Sequence, residues 1–152
     1  MKILIIEDDM DKSAKIITFL KQEFIDNLEI QERHSLRSGL KELIQGESYD
    51  LILLDMSMPS FDVNHDEPTG GTPKSFAGRE LMAQMILRGI EIPVIVVTQY
   101  SSFEEGRVTL DGLRLEFEDK FGTFFLGAVY YNSTSDCWKQ ELLSYIQKVD
   151  KG

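Results

Sequence analysis

The chain has 152 residues, 42% of them hydrophobic, which is enough for one globular domain with a substantial core. Acidic residues outnumber basic ones by 26 to 16, giving a net charge of −10 without a basic stripe, so direct binding to nucleic acid is not expected. The single cysteine, the lack of a signal-peptide pattern and the lack of a run of about 20 apolar residues predict a cytoplasmic protein with no membrane segment.

Short apolar runs alternate with segments of helical periodicity along the chain. The runs have the length of strands and lack the alternation expected when one face of a sheet meets water. They therefore predict parallel strands that are buried on both faces. In chain order the predicted strands are Lys2–Ile6, the more polar Leu28–Arg33, Leu51–Leu54, Pro93–Val97 and Leu126–Tyr131.

Each run is followed by a helical segment whose apolar residues recur at intervals of three and four, which we interpret as core stripes. In chain order the stripes are Ala14, Ile17, Leu20 and Phe24; Leu36, Leu40 and Leu43; Leu81, Met85 and Ile86; Leu110, Leu113, Phe117 and Phe121; and Trp138, Leu142, Tyr145, Ile146 and Val149. Ser35 and Ser135 are predicted helix caps, as is either Asp9 or Asp11, while Gly46 and Gly89 are predicted helix ends. The order predicts a doubly wound five-stranded α/β sheet in a single domain over residues 1–150.

Two connections are longer than this arrangement requires. Residues 60–77 carry Pro, Gly, Asp, Asn and Ser without periodicity and are predicted to form a long surface loop, in which His65 is interpreted as a solvated residue. Residues 99–125 hold the fourth helix and additional residues. We expect exposed apolar residues around Phe121–Phe125 to contact a partner protein.

Acidic and hydroxyl residues come directly after the predicted strands. Glu7 and Asp8 follow the first strand, Asp55 the third and Thr98 the fourth, and the carboxyl ends of parallel strands meet at one edge of a sheet. Carboxylates gathered there repel one another unless a cation lies among them, and oxygen ligands without His or Cys favour Mg²⁺. Such a site suits phosphoryl transfer, with Asp55 as the nucleophile and Thr98 as a donor to a phosphoryl oxygen.

The motifs ILIIEDD, LILLDMSMP and PVIVVTQY resemble the three signature strands of the receiver domain of two-component response regulators. The resemblance implies a flavodoxin-like (βα)5 fold in which Asp55 is the phosphoacceptor. It also implies that Glu7, Asp8 and Asp55 hold Mg²⁺ together with the backbone carbonyl of Ser57.

The resemblance extends to a conformational switch. Thr98 matches the hydroxyl residue that follows the phosphoryl group and reports phosphorylation to the surface. Tyr130 or Tyr131 matches the aromatic partner of that switch, and plain packing of a buried aromatic residue is the alternative interpretation.

One residue of the family pattern is missing. Receivers carry a lysine just after the fifth strand, where this sequence reads YYNST from residue 130. Because that lysine neutralises a phosphoryl oxygen, we hypothesise that Lys74 or Arg79 folds back to replace its charge.

The resemblance implies a stand-alone response regulator, a signalling domain and not an enzyme. It would take its phosphoryl group from a histidine kinase or phosphotransfer protein and signal to a downstream effector protein through the fourth-helix and fifth-strand face, where a homodimer would also pair. The missing lysine and the long connections favour an alternative, a phosphorylation-independent interaction module. A phosphatase is disfavoured because Ser57 stands where such enzymes need a second carboxylate.

Overall fold

The computed structural model describes residues 1–45, 48–57, 77–99, 102–103 and 108–151. In the described chain the elements are β1 (Lys2–Ile6), α1 (Met10–Glu23), β2 (Glu29–Arg33), α2 (Leu36–Gln45), β3 (Leu51–Leu54), α3 (Ala77–Leu87), β4 (Val94–Thr98), β5 (Ser102–Phe103), β6 (Val108–Thr109), α4 (Leu110–Phe121), β7 (Phe125–Tyr130) and α5 (Cys137–Lys151). Five parallel strands form one sheet in the order β2-β1-β3-β4-β7. The predicted doubly wound α/β architecture is confirmed.

The sheet separates two hydrophobic cores. Alternate residues of a strand point to opposite faces, so Ile3 and Ile5 enter the core under α1 and α5, while Leu4 and Ile6 enter the core under α2, α3 and α4. The same alternation runs through β3 and β4, and every side chain of these two strands is buried. This two-sided burial explains why the sequence shows continuous apolar runs.

Helix boundaries follow from local hydrogen bonding. The Asp9 side chain accepts hydrogen bonds from the backbone N–H groups of Asp11 and Lys12 and so caps α1, as predicted. Ser35 Oγ accepts one from the Ser38 N–H at 3.1 Å, which confirms it as the cap of α2. Gly89 ends α3 with a φ of +68°, a conformation that glycine adopts without strain.

The predicted stripe of α1 was wrong at Ala14, whereas Ile17, Leu20 and Phe24 lie against the core as predicted. Ala14 is exposed, and the buried residues of the helix are Lys12, Ser13, Ile16, Phe19 and Leu20. The spacing from Lys12 through Ile16 and Phe19 to Leu20 is four, three and one, the spacing of one helix face. A lysine therefore occupies the first position of the buried stripe.

The expectation of an exposed apolar surface at Phe121–Phe125 was also wrong. Phe121, Phe124 and Phe125 are 5%, 3% and 6% exposed, so they belong to the core. They pack with Phe117, whose ring centroid lies 5.5 Å from that of Phe125. The aromatic run is therefore structural.

The 99–125 connection also contains a short antiparallel pair, β5 with β6, that the sequence did not predict. Strands of two residues carry no periodicity. Gly46, His65, Lys74 and the interior of the predicted 60–77 loop lie outside the described residues. No helix in the described ranges combines the length and the apolar character needed to cross a membrane.

Candidate functional site

Three carboxylates meet at the carboxyl edge of the sheet. Glu7, Asp8 and Asp55 each offer an oxygen that lies within 4.8 Å of the others. The sheet brings them together because β1 and β3 are neighbours, with Ile6 opposite Leu54 in the register, and the Asp55 N–H donates to the Ile6 carbonyl at 3.1 Å. Glu7 and Asp55 are 3% and 4% exposed, whereas Asp8 is exposed. The predicted convergence at one edge is present in the structure.

Among the described residues, the cation at these carboxylates is Lys12, which was not predicted from the sequence. Its ammonium forms a very short ion pair with Oε1 of Glu7, lies 3.4 Å from Oδ1 of Asp55 and donates a hydrogen bond of 2.7 Å to the carbonyl of Val97. The Lys12 side chain is 1% exposed. We refer to Glu7, Asp8, Lys12 and Asp55 as the pocket.

The start of α1 explains how a lysine enters the pocket. Asp9, the residue after the acidic pair, caps the helix, so α1 begins only two residues beyond Asp8. Lys12 then lies in the first turn, on the helix face that packs against the sheet. Its long apolar stem is buried beside Ile16, while the ammonium reaches the polar strand ends.

The oxygens of Glu7 and Asp55 are used unequally. Oε1 of Glu7 binds Lys12, and Oε2 accepts the Asp9 N–H at 3.1 Å. Oδ1 of Asp55 accepts the Met56 N–H at 2.8 Å and faces Lys12, whereas Oδ2 accepts no hydrogen bond from the described residues. One oxygen of Asp55 is therefore held in place and the other is available to a metal ion or a phosphorus atom.

Burial and mutual repulsion shift the protonation of the pocket. Burial raises the pKa of Glu7 to about 9, with the Asp55 carboxylate acting in the same direction and Lys12 opposing both. Burial, followed by Asp55, also raises the pKa of Asp8. Burial acts to lower the pKa of Lys12, but the Asp55 and Glu7 carboxylates outweigh it, so its pKa is raised. The pocket therefore attracts positive charge and keeps the Lys12 amine protonated.

The residues predicted for the switch occupy different environments. Thr98 ends β4 and is 0% exposed, and its carbonyl accepts the Tyr131 N–H at 2.7 Å. Tyr131 is buried, with its ring centroid 5.1 Å from that of Trp138 and 5.8 Å from the Lys12 ammonium. Tyr130 is 42% exposed and lies opposite Thr98 in the register of β4 and β7. Tyr131 is thus a core residue, whereas the side chain of Tyr130 is exposed to solvent.

The hypothesised substitute cations are not the groups found at Asp55 in the described chain. Arg79 forms an ion pair with Glu116 of α4, with 2.7 Å between Nε and Oε2. Lys74 lies outside the described residues. Ser57 is half-buried two residues beyond Asp55, and its carbonyl as a metal ligand stays a prediction. A lysine in register with Ile16, Phe19 and Leu20 was the sequence signal that could have identified Lys12.

The donor set fits a hard divalent cation. Its ligand atoms are carboxylate oxygens on three residues, without nitrogen or sulfur, which is the chemistry of Mg²⁺ sites and not of zinc or copper sites. Asp8 makes no ion pair with Lys12, and Asp55 keeps one oxygen without a hydrogen-bond donor among the described residues. The pocket can therefore accommodate the ammonium and offer oxygens to a metal.

Comparisons with known proteins bear on the fold and the family, although no protein-family model matches the chain. The chain is 28% identical over 151 residues to the Detocs response regulatory protein DtcB of Enterobacter cloacae (strain JD6301), covering 98% of this chain and 100% of that protein. It is 29% identical over 154 residues to the uncharacterized protein y4jR of Sinorhizobium fredii (strain NBRC 101917 / NGR234), covering 99% and 100%. It matches the structure of a CheY-like response regulator receiver domain protein from Methanospirillum hungatei JF-1 with a TM-score of 0.62, at 22% identity over 99% of this chain and 94% of that chain.

The sheet order and these structural similarities identify the fold of the chain. The chain has the fold of response regulator receiver domains, so the resemblance and the flavodoxin-like receiver fold predicted from the sequence are confirmed. In sequence, the chain is similar over 98% of its residues to a response regulatory protein.

Proposed function

We propose that this protein is a response regulator receiver that accepts a phosphoryl group on Asp55. The observation that carries the proposal is the Asp55 carboxylate at the carboxyl end of β3, which has one oxygen fixed by the Met56 N–H and the other without a donor among the described residues. A nucleophile held in this way needs little reorganisation to attack. The neighbouring Glu7 and Asp8 carboxylates supply the metal ligands that phosphoryl transfer requires.

The proposed transfer needs no oxidant, and a proton is needed only by a nitrogen leaving group. An oxygen of Asp55 attacks phosphorus, a new P–O bond forms, and the bond from phosphorus to the donor breaks with its electron pair on the leaving atom. With acetyl phosphate the leaving group is acetate; with a phosphohistidine it is the imidazole nitrogen, which then takes a proton from water. Mg²⁺ held by Glu7, Asp8, Asp55 and the Ser57 carbonyl would neutralise the phosphoryl oxygens.

Chemistry of this kind implies two protein partners. A phosphohistidine on a kinase or phosphotransfer protein is the donor, and an effector protein reads the result. We place the response on α4, β7 and α5, because Thr98 ends the strand next to β7 and Tyr130, its neighbour in the register, is the exposed aromatic of that edge. Pairing of two copies through the same face belongs to this proposal.

One observation favours a second candidate function, that of an interaction module that is not phosphorylated. Lys12 already offsets the charge of Glu7 and Asp55, so the carboxylates can stay together without a metal. This favours a receiver fold that acts by protein contact alone. The two functions differ in whether Asp55 becomes modified.

Intact mass after incubation with acetyl phosphate tests the proposal. Wild type with Mg²⁺ should carry one phosphoryl adduct, and wild type with a chelator should carry none. Asp55→Asn should carry none under any condition. Asp50→Asn is the matched control, since Asp50 is an exposed aspartate just before the other end of β3, and it should retain the adduct. Absence of an adduct from wild type that still binds Mg²⁺ by calorimetry would transfer support to the contact-only module.

A further inference from the structure

The position where receivers carry a lysine has a different environment in this protein. The segment after β7 begins with Tyr131, whose ring is buried between Trp138 and the Lys12 ammonium. The charge at the phosphoacceptor reaches it from α1 instead, 3.4 Å from Oδ1 of Asp55. In this protein the cation beside Asp55 therefore comes from α1, and the segment after β7 supplies an aromatic ring.

We propose that Lys12 supplies, from the first helix, the positive charge that binds the phosphoryl group on Asp55. This inference rests on the proposed function, since it assigns a role within the same reaction. Lys12 would act on a phosphoryl oxygen and leave the nucleophile and metal ligands as described.

The contacts of the Lys12 ammonium support this role. An ammonium has three hydrogen-bond donors. Two are engaged, by Oε1 of Glu7 and by the carbonyl of Val97 at 2.7 Å. The group also faces Oδ1 of Asp55, but 3.4 Å is an ion-pair distance and is too long for a good hydrogen bond. The remaining donor can therefore take a phosphoryl oxygen attached to Asp55 without breaking the two bonds that hold the side chain.

The carbonyl of Val97 fixes the direction of the charge. It belongs to β4, one strand beyond Asp55, so the ammonium is drawn across the edge of the sheet toward Thr98, the next residue. A phosphoryl group on Asp55 would then have the Lys12 charge and the Thr98 hydroxyl on its β4 side. The β1 side keeps Asp8, the most exposed of the three carboxylates, for the metal.

A purely structural lysine would account for burial but predicts a different response to substitution. If Lys12 only stabilises the pocket, its removal should weaken Mg²⁺ binding and phosphorylation together. If Lys12 instead serves the phosphoryl group in a pocket that stays formed without it, its removal should release Glu7 and Asp55 for Mg²⁺ and relieve repulsion of the metal. Metal affinity should then rise while the phosphorylation rate falls. These opposite signs separate the two roles.

The test compares Lys12→Met with Lys15→Met, which removes one exposed lysine from the same helix. We expect Lys12→Met to lower the rate of phosphorylation by acetyl phosphate, at saturating Mg²⁺, by about 100-fold, the size found for loss of one charge-stabilising donor. Calorimetric titration with Mg²⁺ should show about tenfold tighter binding. Lys15→Met should match wild type in both.

A double variant moves the charge back to the family position. Lys12→Met combined with Tyr131→Lys places a lysine after β7, beside the volume that the Lys12 ammonium held. We expect it to recover at least about tenfold of the lost rate. It also decides the matter should Lys12→Met alone not fold: a folded double variant within about tenfold of the wild-type rate supports the proposal, and one without any adduct overturns it.

Failure of this inference is distinguishable from failure of the proposed function. Wild type without an adduct removes both. Wild type with an adduct and Lys12→Met at an equal rate removes only the role of Lys12. A parallel loss of rate and of Mg²⁺ affinity in Lys12→Met also removes that role, because it is the signature of a structural lysine.

Discussion

Two clusters of this protein each have a cation between an Asp and a Glu, and they differ in their exposure to solvent. In the pocket, Lys12 stands between Glu7 and Asp55; on the outside, Arg114 of α4 stands between Asp111 and Glu141 of α5, with separations of 2.6 and 3.1 Å. We call Asp111, Arg114 and Glu141 the surface cluster. Each cation also donates to a strand carbonyl, Lys12 to Val97 of β4 and Arg114 to Ala128 of β7.

Exposure is what separates the two groups. The pocket lysine is 1% exposed, whereas the surface arginine is 29% exposed and its partner Asp111 is 87% exposed. A surface ion pair is screened by water and salt and contributes little, while a buried pair that loses one member leaves an uncompensated charge. Loss of the pocket lysine is therefore expected to cost more than loss of the surface arginine on the proposed signalling face.

The largest expected effect is on the stability of Lys12→Met in metal-free buffer. Removal of the ammonium leaves Glu7 and Asp55 buried without their cation, a change that costs about 3–5 kcal/mol of unfolding free energy. Urea unfolding in the presence of a chelator measures it, with Lys15→Met as the exposed control. Addition of Mg²⁺ should restore part of the loss, because a metal that binds the folded state replaces the missing charge. Equal urea midpoints for the two variants would contradict the expectation that loss of the buried lysine costs more unfolding free energy than loss of the exposed one.

A smaller effect concerns pH. The folded-state pKa of Glu7 is raised from 4.5 to about 9, so its protonation stabilises the folded protein fully below pH 4.5, and this contribution is lost as the pH rises toward about 9. The raised pKa of Asp8 acts with the same sign above its ordinary value of 3.8, whereas the raised pKa of Lys12 acts only above 10.5. Asp55 and Lys12 are the charges that face Glu7. Metal-free protein should therefore lose stability across this range.

The matched variant for the pH effect is Glu7→Gln, which keeps the shape of the side chain and cannot titrate. Its stability should fall less steeply with pH than that of wild type, and Mg²⁺ should flatten the wild-type profile because the metal takes the place of the proton. Urea midpoints at several pH values, with and without Mg²⁺, measure both slopes. A slope in Glu7→Gln as steep as that of wild type would assign the pH dependence to other groups.

The smallest effect is expected at the surface cluster. Arg114→Ala removes the pairs with Asp111 and Glu141 and the hydrogen bonds to the Ala128 carbonyl, at a cost of about 1 kcal/mol. High salt should shrink that cost and leave the cost of Lys12→Met nearly unchanged. The rate of phosphorylation should equal that of wild type. A large loss of rate in Arg114→Ala would connect the two clusters more closely than their exposure suggests.

The parts of the fold that could be read from the sequence are those where burial leaves a contiguous signal. β1 and β3 have the predicted bounds, Lys2–Ile6 and Leu51–Leu54, because both faces of a central parallel strand are apolar. The β5–β6 hairpin was missed because a strand of two residues has no period to detect. The aromatic residues at Phe121–Phe125 were misplaced outside because composition alone does not tell an exposed patch from a packed one.

The site could be predicted as far as strand order determines it. Glu7, Asp8, Asp55 and Thr98 each follow a strand, so the fold brings them to one edge. Lys12 was missed because a charged residue was not counted as part of a buried stripe, and the stripe was then drawn through Ala14. A lysine is favourable at this buried position only because its ammonium reaches the Glu7 and Asp55 carboxylates at the edge of the sheet.

The bond between Lys12 and the carbonyl of Val97 joins residues 85 positions apart in the chain. When the chain is synthesised from its N-terminus, β1 and α1 appear long before the strand that receives this bond. The ammonium can therefore make this bond only when β4 lies beside β3 at the sheet edge. In the nascent chain the Lys12 ammonium therefore lacks this partner until Val97 has been synthesised and β4 has joined the sheet.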